Sequence, residues 1–232
     1  MVNHKLLRLS ATLVLIGEVI FTVIALFLHP GGGTTLAGTF ANDAASGDWA
    51  AIHLGEFAST AVLLAGLLVL YFALGETSGT PRWLGFFGAI ATGVALVLAG
   101  VVFAVDGVAN KQAVDAWVSA PAAEQMARFA SAQALRWLEI GTTSYEFFMQ
   151  GLALVLFSLV IVWTARVKRP IGYLMGVSGL AYLVYGWVVG TTGFTSATNV
   201  PSRAGFLLLL ASMGWLYIVA WLGKESVQAV PN

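Results

Sequence analysis

Six stretches of apolar residues, each bounded by charge, proline or glycine, constrain this chain more than anything else in it. They are Leu6 to Leu28, Ala51 to Leu74, Trp83 to Val105, a run from near Tyr145 to Ala165, Ile171 to Val189, and Ala204 to Leu222. A helix crosses the hydrocarbon layer with about 20 such residues, and inside that layer every backbone polar group must find its partner within the element. The expected fold is therefore all-α, a six-transmembrane-helix bundle forming one integral membrane domain over residues 1–232. Six spans of ~20 residues take up roughly half the chain, which leaves no room for a separate soluble domain.

Composition agrees, with 9% charged residues and 59% hydrophobic, where a soluble domain carries about 25% charged. An ordinary soluble enzyme is excluded. The 11 basic and 11 acidic residues balance, so no cationic surplus exists for a nucleic-acid partner. The absence of cysteine removes thiolate metal sites and disulfides from consideration. Between the spans, Pro30-Gly31-Gly32-Gly33 stops the first, Gly75 to Pro81 turns the second into the third, and Arg166 to Pro170 joins the fourth to the fifth. The first run exceeds the 7 to 15 residues of a signal-peptide core and lacks a clean cleavage pattern, so it is read as a retained helix.

The zero net charge conceals a strong asymmetry. With the N-terminus inside, Lys5, Arg8, Arg82, Arg166, Lys168, Arg169 and Lys224 fall on the inner face, with Glu76 and Glu225. Lys111, Arg128, Arg136 and Arg203 fall outside, together with Asp43, Asp48, Glu56, Asp106, Asp115, Glu124, Glu139 and Glu146. The bias of Lys and Arg predicts cytoplasmic N- and C-termini and an acidic exterior. Trp83, Trp163, Trp221 and Tyr71 mark the inner interface and Trp49, Trp137 and Trp187 the outer one, while Trp215 fits neither and is assigned to helix packing.

The longest polar segment, Asp106 to Arg136, separates the third and fourth spans. Val114, Trp117 and Val118 share a helical face, and Pro121 followed by Glu124 is a helix-start pattern. A short outer-surface helix is expected there, then a helix running from about Ala122 into the fourth span. A parallel repeat of hairpins 51–105 and 136–189 is also suggested, because Gly66 to Leu74 resembles Gly151 to Leu159 and each precedes a proline-containing turn.

Polar residues within the spans are the candidate site. Arg136, Glu139, Thr143, Glu146 and Gln150 recur at three- and four-residue steps, a stripe that must face other helices or a cavity. It serves either as structural glue or as a site. His53 and Glu56 share a face of the second span at the depth of Asp106 on the third, with Ser59 and Thr60 a turn deeper. Imidazole and carboxylates suit a divalent metal, making His53, Glu56 and Asp106 candidate ligands, with His29 a second imidazole if the first helix ends nearby. Against this stand the single His on the second span and the ordinary role of an interfacial His bonded to a carboxylate or carbonyl. Glu18, mid-span on the first helix, is either a proton or ligand site or a neutral hydrogen-bond donor to a neighbouring helix.

The segments Gly47-Asp48-Trp49-Ala50-Ala51-Ile52-His53-Leu54-Gly55-Glu56 and Ala104-Val105-Asp106-Gly107-Val108-Ala109-Asn110-Lys111, with the six-helix layout, resemble small bacterial membrane proteins grouped as domains of unknown function. That resemblance implies a bacterial inner membrane and no particular activity. The residues favour an outward-facing acidic pocket for a small molecule or cation, built from His53, Glu56, Asp106, Arg136, Glu139 and Glu146 with Glu18 as a proton site. One alternative is a membrane enzyme acting on a lipid or isoprenoid, with Glu56 or Glu146 as general acid and His53 its partner. There Tyr145, Phe147, Phe148, Tyr182 and Tyr185 would line the substrate channel. Another is an accessory subunit of a larger membrane complex. Through-transport is disfavoured by the apolar inner halves of the second, fourth and sixth spans.

Overall fold

The structure, a computed structural model, describes residues 2–29, 32–75 and 78–222. Pro30, Gly31, Glu76, Lys224 and Glu225, used above as a helix stop and as inner-face charges, lie outside the described residues. The described chain is all-α: α1 His4–Phe27, α2 Leu36–Ala45, α3 Trp49–Leu74, α4 Gly79–Ala104, α5 Lys111–Val118, α6 Gln125–Thr164, α7 Arg169–Thr192 and α8 Asn199–Leu222. Six helical stretches are long and apolar enough to cross a membrane, those of α1, α3, α4 with α5, α6, α7 and α8.

Neighbouring spans pack in the order α1, α3, α4, α6, α7, α8, and α8 closes back on α1. The first and last described residues lie at one end of this ring, where the Asn3 amide donates to Ala73 O at 2.9 Å and Arg8 Nε to Ala220 O at 2.7 Å. That terminal end is filled by apolar side chains, among them Leu67, Leu70, Leu154, Phe157, Ile171, Met175, Met213 and Leu216. Six of the ten described basic residues, Lys5, Arg8, Arg82, Arg166, Lys168 and Arg169, lie at this end.

Four features depart from the sequence reading. First, α2 is an addition to the sequence reading, because ten residues with only two large apolar side chains, Leu36 and Phe40, carry too little periodicity to register. It starts where Thr35 Oγ1 accepts from the Gly38 amide at 3.1 Å, and it docks Phe40 against Val114, Ala132, Trp117 and Phe129. Second, α5 is helical as expected but continues from α4 through a π-helical turn, Val105–Asn110. Of its expected face, Val114 and Trp117 pack inward, whereas Val118 is exposed. Third, Trp49 is no interface residue: it is fully buried and its indole donates to Asp106 O at 2.9 Å. Trp215 departs the other way, exposed on α8 instead of packed between helices.

The α6–α7 contact is the most extensive helix pair in the bundle. It depends on Gly151 and Gly179, which face each other so closely that a Cβ on Gly151 would lie 2.6 Å from Gly179 O, and one on Gly179 would lie 2.7 Å from Gly151 O. Ser144 Oγ then donates across the same interface to Gly186 O at 2.7 Å. Small residues that let backbones approach, plus an interhelical hydroxyl bond, are how helices associate where lipid offers no hydrophobic drive.

Candidate ligand-binding site

The end of the ring opposite the chain termini is hollow. A cavity of about 730 Å³ is walled by α1, α3, α4, α6, α7 and α8. Of the sequence candidates, Glu18, Asp106, Arg136, Glu139 and Glu146 all line it. His53 and Glu56 do not; they lie buried behind Asp106 on α3. The stripe on α6 faces inward throughout, with Glu139, Thr143, Glu146 and Gln150 all buried. Tyr145 and Phe148, named above as channel residues, are exposed, whereas Phe147, Tyr182 and Tyr185 line the cavity. Sequence reasoning also missed Arg203, Phe21, Phe103, Phe194 and Phe206 on its wall, since isolated aromatic residues in apolar spans do not reveal which way they face.

Two polar groupings line this space and a third lies behind its wall. At the mouth, Arg136 NH1 donates to both oxygens of Glu139 at 2.9 and 2.8 Å, and its guanidinium sits 4.8 Å from the Phe194 ring centroid. Toward the floor, Tyr182 OH donates to Glu18 Oε1 at 3.4 Å, a long bond. Thr22 lines the cavity too, but its hydroxyl is occupied by Glu18 O at 2.6 Å, an ordinary intrahelical bond. Between mouth and floor the α6 stripe is unsatisfied. Thr143 Oγ1 is buried with no partner, and among the described residues no hydrogen bond reaches the side chain of Glu146 or Gln150. Phe147 stands beside them, its ring 4.6 Å from that of Tyr185 and 5.4 Å from that of Tyr182.

The third grouping is centred on His53. Its Nδ1 lies 2.8 Å from Trp49 O, and a carbonyl only accepts, so Nδ1 carries a proton. Its Nε2 meets Asp106 Oδ2 at 2.9 Å, while Glu56 Oε2 stands 4.0 Å away. His53 is thus bonded to a backbone carbonyl and a carboxylate, the ordinary role expected of it, and the carboxylate is Asp106; Glu56, one of the two acids considered as its acid–base partner, stays 4.0 Å away. The π-turn explains why: it swings α4 onto α3 at Gly107, where a Cβ would lie 2.6 Å from His53 Cβ, and turns Asp106 toward the imidazole. Asn110 Nδ2 donates weakly to Asp106 Oδ1 at 3.4 Å, and Asn110 Oδ1 is buried without a partner.

Asp43 on α2 lies outside the spans, close enough to feel these charges. Burial pushes its carboxyl up to about 6, with the Asp106 carboxylate adding to the rise and Arg136, His53 and Lys111 opposing it. A carboxyl raised above its unfolded value favours the folded state while protonated, so this contribution is present at low pH and lost as pH rises from about 4 through 6. Asp43 Oδ2 has no partner to repay the charged form. Asp43→Asn should raise the thermal midpoint at pH 8 by about 2–4 °C, roughly 1 kcal/mol in a chain of this size after allowing for partial solvent screening. At pH 4 it should change nothing. Intrinsic tryptophan fluorescence melts in detergent at the two pH values would show it, and an equal shift at both would remove charge as the cause.

The chain matches no protein-family model, no curated protein and no solved structure, so the chemistry of this site is read from its own residues.

Proposed function

We propose that this is a multi-pass bacterial inner-membrane protein with both termini cytoplasmic, whose outward-facing pocket binds a small amphiphilic organic cation. The observation that carries the reading is Glu146: a buried carboxyl, without a hydrogen-bond partner among the described residues, facing a cavity and flanked by Phe147, Tyr182 and Tyr185. An unsatisfied buried acid is costly, and a positively charged group removes that cost while the aromatic faces add attraction of their own. Glu139 does not compete for the same ligand, because Arg136 already neutralises it. About 730 Å³ lies within the roughly 300–1,000 Å³ range of small-molecule sites. Leu26 and Leu207 line the cavity and are also exposed on the flank of the bundle, which supports an apolar body arriving from the outer leaflet. The packed terminal half supports binding over passage, since its buried hydroxyls, Ser10, Ser158 and Ser212, are spent on backbone carbonyls.

Tetraphenylphosphonium and tetraphenylborate, nearly identical in shape and opposite in charge, provide the test. Titration calorimetry of the purified protein should show the cation binding and the anion failing to bind. Glu146→Gln should weaken the cation at least tenfold, about 1.4 kcal/mol. Equal binding of both probes, or an unchanged affinity in Glu146→Gln, would overturn the reading.

Sidedness has its own test, made simple by the lack of cysteine. Ala122→Cys at the cavity end and Thr80→Cys at the terminal end both place a thiol at an exposed position. In intact cells stripped of outer membrane, an impermeant maleimide should label Ala122→Cys fully and Thr80→Cys only after lysis. The reverse pattern would invert the topology.

A further inference from the structure

We infer that His29, His53, Glu56 and Asp106 form a binding site for a divalent transition-metal ion of the zinc type, beside the organic-cation pocket and independent of it. One ligand atom from each of His29, His53 and Glu56 lies within 4.8 Å of the other two, the spacing of donors that surround a common ion. Asp106 extends the set, with Oδ2 at 2.9 Å from His53 Nε2.

Two features set this apart from a chance cluster. The first is the orientation of His53. Its Nδ1–H is fixed on Trp49 O at 2.8 Å, which leaves Nε2 as the nitrogen that faces Glu56 and Asp106. A metal-binding imidazole is normally held in this way, its far N–H given to a backbone carbonyl so that the near nitrogen can donate its lone pair. The Trp49 carbonyl that does so belongs to the residue whose indole donates to Asp106 O, so one buried tryptophan holds both a ligand and the turn carrying another. The second is Glu56. Its carboxyl is buried, and it stands 4.0 Å from His53 Nε2, beyond hydrogen-bond range. It points at the imidazole without bonding it, leaving a gap of the kind an ion fills.

Two imidazoles and two carboxylates with no thiolate fit zinc, or manganese or iron in the same valence, better than copper(I) or calcium. His29 and Asp106 also line the large cavity, so the ion would border that space.

The test uses the full-length protein in detergent, stripped with a chelator and titrated with zinc chloride, with bound metal counted by inductively coupled plasma mass spectrometry. About one zinc per chain is expected. Glu56→Gln, which keeps the shape of the side chain, should weaken binding 10- to 100-fold, and His29→Ala should do the same. Cobalt(II) substituted for zinc should give the intense visible absorption of a four-coordinate site, and that band should vanish in His53→Ala. Zinc retained by Glu146→Gln and lost by Glu56→Gln separates this site from the organic-cation pocket. No zinc bound by the unsubstituted protein, or equal affinity in Glu56→Gln, overturns the assignment, whatever tetraphenylphosphonium does.

Discussion

Gly151→Leu is expected to destabilise the bundle severely. The new side chain would begin 2.6 Å from Gly179 O, 2.9 Å from the Leu183 amide and 3.1 Å from Leu183 Cγ, and two of these three neighbours are backbone that cannot rotate away. Helices α6 and α7 would have to separate along the most extensive contact in the molecule. Overpacking a tight core typically costs about 1–3 kcal/mol, and a collision of two main chains stands at or above the top of that range. About 3 kcal/mol in a chain of this length lowers the thermal midpoint by roughly 6–12 °C, enough to turn a monodisperse detergent complex into aggregate. Gly214→Leu is the matched control. It makes the same change at a span glycine on α8 where a Cβ meets nothing within 4 Å. Size-exclusion profiles and melts of the two variants should differ sharply, and indistinguishable behaviour would contradict the α6–α7 packing.

Gly151 also shows what the sequence could and could not reveal. The apolar runs set the number of spans and their order, because about 20 uncharged residues have few other uses. Most runs end within a few residues of the observed helices, as for α3, read from Ala51 and found from Trp49; α6 starts well before its apolar run, at Gln125. A glycine in such a run could be packing, kink or neutral. Gly151 and Gly214 look alike in sequence and differ completely in the bundle, since contact depends on which face the neighbouring helix meets. The π-turn was invisible for a related reason: one extra residue in a helical turn leaves no mark in the hydrophobic pattern, yet it decides where Asp106 points.

The α6 stripe was the most legible part of the site. Charged and polar residues at helical spacing in an apolar span have to face inward, whatever their role. Arg136, Glu139, Thr143, Glu146 and Gln150 do so. What spacing could not say was which of them are satisfied. Arg136 and Glu139 close on each other while Glu146 is left without a bond, and that difference comes from three dimensions, with Phe194 arriving from beyond α7 to stack on the guanidinium. That His53 meets a carboxylate and a backbone carbonyl was legible, but which carboxylate was not. Glu56 is nearer in sequence, but residues three apart on a helix diverge enough to leave 4.0 Å between them, whereas Asp106 is delivered from a second helix at 2.9 Å.

Arg136→Met is expected to destabilise the protein and, at the same time, improve its grip on an organic cation. Glu139 is buried and draws both its hydrogen bonds from Arg136 NH1, at 2.9 and 2.8 Å. Removing one member of a buried ion pair leaves the other uncompensated, at a cost of about 3–5 kcal/mol. A fall in thermal midpoint of about 10 °C or more should follow. The converse change is milder, because in Glu139→Gln the remaining guanidinium is partly exposed and still stacks on Phe194 at 4.8 Å. In the double variant Arg136→Met/Glu139→Gln no unpaired charge remains, so most of the stability should return, and the double-mutant cycle should give a coupling of about 2 kcal/mol or more. A pair acting only as interfacial decoration would give near zero. Binding should move in the opposite direction. With its cation gone, Glu139 becomes a second acid on the wall shared with Glu146, and tetraphenylphosphonium should bind roughly tenfold more tightly at low salt, a gain of about 1.4 kcal/mol. The double variant should lose that gain while recovering its stability. A variant that melts earlier yet binds more tightly cannot be explained by general damage to the fold, and loss of affinity in Arg136→Met would instead place the guanidinium among the groups that hold the ligand.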